Sequence, residues 1–122
     1  MRIIVSASGE DMTSPVDQRF GRCSNFVVVE VEGDKIMRSE AFENKGSVQG
    51  HGAGIAAAQQ VADLKPDKII TGNLGPNAWS VVNQLGIEVY SASGTVKDAV
   101  LNLIHGRLSR IGLPVEKHFG TV

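Results

Sequence analysis

The chain has 122 residues, a formal net charge of −1, 42% hydrophobic residues and 20% charged ones. That length corresponds to one domain, 1–122, able to bury about two-thirds of its unfolded surface. A single cysteine excludes an internal disulfide and any four-thiolate zinc or iron–sulphur site built from one chain. The near-zero charge gives no support to nucleic acid or an anionic membrane as a partner.

No window approaches the roughly 18 consecutive apolar residues of a membrane span. Ile3-Ile4-Val5 ahead of polar Ser6 is too short for a signal-peptide core, so the expected location is the cytoplasm. In chain order, Ile3 to Ala7 predicts a short buried strand. Asn25 to Val31 predicts a second, with Val27, Val29 and Val31 on one face. Gly33-Asp34 signals a hairpin into a third strand, Lys35 to Phe42. Its Lys35, Arg38 and Glu40 suit a sheet edge, where charge blocks pairing with a foreign strand.

From Ala53 the period becomes helical, with Ile55, Ala58 and Ala62 in step and Pro66 closing the helix. Asp67 to Thr71 predicts the fourth strand. Pro76 fits the first position of a second helix whose stripe is Ala78, Val81, Val82 and Leu85, with Gly86 just past its end. Ile87 to Ser91 is the fifth strand, and Thr95 with Asp98 opens a third helix as a capping box. That helix is closed by His105 and Gly106, and the tail from Gly112 to Val122 is expected to be loosely held. The order β-β-β-α-β-α-β-α predicts an α/β fold: a five-stranded mixed sheet, an antiparallel meander continued by parallel strands, with three helices on its faces.

Ligands of open α/β sheets bind at the carboxyl ends of strands. Three loops map there: Ser8 to Ser24, Lys45 to Gly54 and Thr71 to Asn77. Two of them carry glycine-rich backbone to a helix N-terminus, whose free N–H groups and partial positive charge suit an anion. Arg19 and Arg22 add fixed positive charge. The candidate binding set is therefore these two arginines with Gly50, Gly52, Gly54, Gly72, Asn73, Gly75 and Asn77. The alternative is that the glycines serve only turns and helix packing. Cys23 follows an arginine, and cationic neighbours favour a metal-binding thiolate; otherwise it is a small buried residue. His51, flanked by glycines, is the second candidate metal ligand or an anion contact. His105 is explained by its helix end, and Trp79 by packing. Ser6 and Ser8 stand on the first strand where a metal-binding nuclease would place an acid, and no nucleophile elbow is present. Binding is expected rather than turnover, and no catalytic residue is named.

Three tetrapeptides carry a family resemblance over roughly Met1 to Leu108: Arg19-Phe20-Gly21-Arg22, Gly52-Ala53-Gly54-Ile55 and Gly75-Pro76-Asn77-Ala78. With them the chain resembles the dinitrogenase iron–molybdenum cofactor biosynthesis family, the NifX-like and NifB C-terminal-like domains. The resemblance implies a ribonuclease H-like three-layer fold. It also implies a nitrogen-fixation-related binding or carrier role for an iron–sulphur or iron–molybdenum–sulphur cluster, or its precursor, alongside cluster-assembly proteins. In that setting Cys23 and His51 would be the ligands of a weak cradle, or two chains would bridge a cluster through their Cys23 thiolates. Two other readings stay open: a small-anion or nucleotide-binding enzyme using the same loops, and a ligand-free regulatory interaction module.

Overall fold

Val and Ile fill the inner strands because those strands are covered on both faces, which favours continuous apolar runs over strict alternation. The computed structural model describes residues 1–47 and 50–112. Its elements are β1 (Arg2–Ala7), β2 (Asn25–Glu32), β3 (Lys35–Glu43), α1 (Ala53–Asp63), β4 (Lys68–Thr71), α2 (Pro76–Gln84), β5 (Glu88–Ser91), α3 (Val96–Ile104) and β6 (Ser109–Arg110). They form one sheet in the order β3-β2-β1-β4-β5-β6. The β1–β2 and β2–β3 pairs are antiparallel, as the meander requires. The β1–β4 and β4–β5 pairs are parallel, joined by crossovers through α1 and α2.

Period-two alternation divides the core between the two faces. Ile4, Phe26, Val28 and Ile69 meet α1 and α2 through Ala57, Ala58, Val61, Ala78 and Val82. Ile3, Val5, Val27, Val29 and Ile70 meet α3 through Val96, Ala99, Val100 and Leu103. Three layers result. The alanines of α1 let that helix lie close to the sheet, and the buried Phe26 fills the space beneath with Phe20 at 5.4 Å between ring centroids.

Among the described residues the sheet has six strands, not the five expected. The addition, β6, is a Ser-Arg pair on which periodicity has no purchase; it adds antiparallel to β5 through Tyr90↔Arg110 and Ser91↔Ser109. The chain then runs on beside α2. Ile111 N–H donates to Val89 O at 2.8 Å. A Cβ on Gly112 would lie within 2 Å of the Trp79 indole nitrogen. Of the tail expected to be loosely held, only Gly112 falls among the described residues. No described helix is long and apolar enough to cross a membrane.

Candidate functional site

Because β1 and β4 run parallel while β2 runs back, connections leave the sheet in opposite directions between β1 and β4. This is the switch point at which α/β sheets bind ligands. The three predicted loops meet there around a cleft of about 350 Å³. Its walls are Gln18–Gly21 from the loop after β1, Gly52–Ile55 at the start of α1, and Asn73 with Gly75–Ala78 at the start of α2. Apart from Gln18 and Asn73, these lining residues come from the three tetrapeptides that carry the resemblance.

Glycine is required here for contact. A Cβ on Gly21 would lie 2.9 Å from the Gly54 nitrogen and Cα, so the first loop rests directly on the start of α1. Gly52 caps α1 at φ 72°, in the left-handed region that suits glycine. Gly72 packs against Gln18, where a Cβ would come within 2.5 Å of the Gln18 backbone.

The two helix starts are left open. Neither Gly52 nor Gly75 offers a side-chain cap, and neither first turn contains an acid. Among the described residues, the N–H groups of Ala53, Gly54, Ile55, Asn77 and Ala78 find no acceptor. Ala53 and Ala78 are nevertheless buried, at 6% and 3% exposure. The first N–H groups of a helix have no partner within it, and at these two starts no side chain of the chain takes them up.

Among the described residues, Arg19 is the one ionisable side chain of the lining. It is 69% exposed, and its Nε lies 3.3 Å from Oδ1 of the buried Asp17, which orients the guanidinium and offsets part of its charge. Asp17 is held in turn: its carbonyl accepts from Ser6 Oγ at 2.8 Å and from Gly72 N–H at 3.3 Å. The Ser6 and Thr71 hydroxyls lie 2.7 Å apart, so both strand ends under the cleft are tied by polar contacts.

The other candidates are placed differently. Arg22 donates to Ser47 O at 3.0 Å and Gly50 O at 3.3 Å, so it braces the loop ahead of α1 and does not line the cleft. Gly50, Gly72 and His51 do not line the cleft, and Gly50 and His51 are exposed. Cys23 is placed in the core, the second of the two settings its sequence left open. It is fully buried among Phe20, Phe26 and Ala57, and its thiol donates to Phe20 O at 3.3 Å. Burial pushes that thiol up to about 12, the opposite of the activated thiolate that a neighbouring arginine suggested. Among the described residues no group of three or more His, Cys, Asp or Glu side chains could hold a metal ion. Sequence reasoning did not name Gln18, Phe20, Gly21, Ala53, Ile55, Pro76 or Ala78 as contacts, although most of them lie within the tetrapeptides; the available signal was the pairing of two glycine motifs that must touch.

The sequence profile of the family described as dinitrogenase iron–molybdenum cofactor matches residues 1–106. An uncharacterized protein of Methanocaldococcus jannaschii is 40% identical over 92 residues, which are 75% of this chain and 78% of that protein. Among solved structures, the apo form of the orange protein from Desulfovibrio gigas is similar with a TM-score of 0.84 at 35% identity, over 93% of this chain and 94% of that one. A Thermotoga protein of the DUF35 family, solved by NMR, gives 0.78 at 28% identity, over 93% and 96%. This chain belongs to the dinitrogenase iron–molybdenum cofactor family.

Proposed function

We propose that the protein is a non-enzymatic carrier of an anionic iron–sulphur or iron–molybdenum–sulphur cluster, or of its precursor, received from and passed to other cluster-assembly proteins. Family membership supports a role in iron–molybdenum cofactor assembly. The observation that carries the finer reading is the set of unpartnered N–H groups at two helix starts, opening into one cleft beside Arg19. Among the described residues the lining offers no thiol, imidazole or carboxylate. A cargo held there brings its own inorganic ligands, and its outer sulphides accept hydrogen bonds from Gly54, Ile55 and Asn77. Such a grip involves no protein–metal bond, so release needs none to be broken. At about 350 Å³ the cleft stands at the small end of ligand pockets, which suits a compact polyatomic anion better than a nucleotide.

The test is anaerobic purification from the native host, followed by iron, molybdenum and acid-labile sulphide per chain and the absorbance spectrum. Near-stoichiometric metal and sulphide with charge-transfer absorption is expected. Arg19→Ala should weaken uptake about tenfold at low salt and less at high salt, whereas Cys23→Ala and His51→Ala should leave it unchanged. Colourless, metal-free protein that also takes up no added cluster would overturn the reading. Phosphate bound in the cleft, with hydrolysis on adding a divalent cation, would replace it with the small-anion enzyme.

A further inference from the structure

The nine-residue strand β3 forms one edge of the sheet, and its outer row of backbone groups faces away from β2. Natural edges of this length are blunted by proline, by cover or by charge. Here there is no proline, and the charges along Lys35-Ile36-Met37-Arg38-Ser39-Glu40-Ala41-Phe42-Glu43 are arranged about their own centre. Reading outward from Ser39, arginine on one side answers glutamate on the other, and both stand on the face that carries Val28 and Glu30 of β2. The side chains of Arg38 and Glu40 are both exposed and, among the described residues, have no ion-pair or hydrogen-bond partner. The only acid directly across from Arg38 on β2 is Glu30, whose carboxylate is taken by Arg2 at 2.7 Å.

We propose that β3 is a self-recognition edge, pairing antiparallel with β3 of a second copy of this chain about a two-fold axis through Ser39. Antiparallel neighbours directly opposite share one face of the sheet, so a two-fold register must be centred on a residue. Centring on Arg38 or on Glu40 sets like charges against each other. Centring on Ala41 sets Ser39 against the partner's Glu43 and carries Arg38 beyond the end of the partner strand. The Ser39 register alone places Arg38 opposite the partner's Glu40, and by symmetry does so twice. The strand's irregularity fits the same register. A bulge opposite Glu30 and Val31 leaves Met37 without a place in the β2–β3 pairing and 59% exposed. With Met37 as the extra residue, Ile36 would stand opposite the partner's Ala41, and both belong to the face of Val27 and Val31. The charges expected to repel a foreign strand therefore select an identical one. Pairing joins two six-stranded sheets into one and leaves the two clefts at opposite ends, because each lies at the Glu43 end of its own β3.

The test is sedimentation equilibrium of the full chain across a concentration series. A monomer–dimer equilibrium that weakens with salt is expected for the wild type. Arg38→Glu and Glu40→Arg should each weaken dimerisation tenfold or more, and the double swap Arg38→Glu/Glu40→Arg should restore it to within about threefold. Independently, Ser39→Cys should form a disulfide-linked dimer under mild oxidation, since that residue faces its own copy and Cys23 is buried. Monomer at every concentration up to several hundred micromolar, failure of the double swap to rescue, or no cross-link through position 39 would each overturn the proposal.

Discussion

All three helices start at the same end of the sheet, yet they begin in opposite ways. At α3 the chain satisfies its own helix: Val96 N–H goes to Ser14 O at 2.9 Å, Lys97 N–H to Met12 O at 2.9 Å, and Asp98 N–H to Thr95 Oγ1 at 3.1 Å. Asp98 also places a negative charge in the first turn, where the helix dipole favours one. At α1 and α2 the caps are glycines, no acid is present in the first turn, and the corresponding residues line the cleft. The loop after β1 serves both arrangements. Its first part folds over α3, with Pro15 bridging to Thr95, while its second part, Gln18–Gly21, walls the cleft. A helix start at the carboxyl end of a sheet is therefore not in itself a binding site. It becomes one where the chain leaves the donors for something else.

The sharpest way to break the contrast is to give α2 the cap that α3 has. Gly75 is extended, at φ −67° and ψ 163°, and a Cβ there meets nothing within 4 Å. Gly75→Asp should therefore fold normally and gain a few tenths of a kcal/mol from capping. Cluster uptake should fall on the order of a hundredfold or more, since a new negative charge about 5 Å from an anionic cargo costs roughly 3 kcal/mol at a surface-like dielectric. Paired urea denaturation and uptake titrations would read both quantities. Improved stability with undiminished uptake would mean that the cargo does not sit at the start of α2.

Much of this contrast was legible in the sequence. Thr95-Val96-Lys97-Asp98 is a local signal whose meaning does not depend on the rest of the fold, and the hydroxyl of Thr95 caps as expected. Val27-Val28-Val29 and Ile69-Ile70 marked strands because β-branched runs pack well on both faces of a covered sheet. The glycine motifs marked the helix starts but not their relation to one another: the contact of Gly21 with Gly54 joins segments from opposite ends of a strand meander. The choice between the two settings of Cys23 was hidden for the same reason. Its sequence neighbour Arg22 turns away to Ser47 and Gly50, while the thiol turns into the core. Adjacency along the chain says little about electrostatics when successive side chains face opposite ways. β6 was invisible because two polar residues become a strand only through the partner they find.

The reciprocal change tests the closed start. Thr95→Ala removes the acceptor for Asp98 N–H and should cost about 1 kcal/mol of stability. Cluster uptake should be unaffected, because α3 packs on the face of the sheet opposite α1 and α2. A matching loss of uptake would show that the loop after β1 transmits disorder from α3 to the cleft wall, so that the two helix starts are coupled.

The smallest expected effect concerns the far end of the parallel strands, where the charges are paired with one another. Hydrogen bonds from Lys68 and Tyr90 hold the Glu88 carboxyl down at about 2, and the same Glu88 contact raises the Lys68 ammonium. A carboxyl depressed by folding stabilises the protein above its unfolded value of about 4.5, and that contribution fades as pH falls from there towards 2. With the side chain 37% exposed, solvent screening keeps it below about 1 kcal/mol. Urea midpoints at pH 5 and pH 2.5 should therefore fall slightly further apart in the wild type than in Glu88→Gln. Among the described residues the cleft lining contains neither carboxylate nor histidine, so uptake of a cluster stable over the range should stay flat between pH 5 and 9. A marked pH dependence of uptake would implicate a side chain outside the lining, with the exposed His51 the first to replace. It would also show that the open end of the sheet relies on a titrating group and not on backbone donors alone.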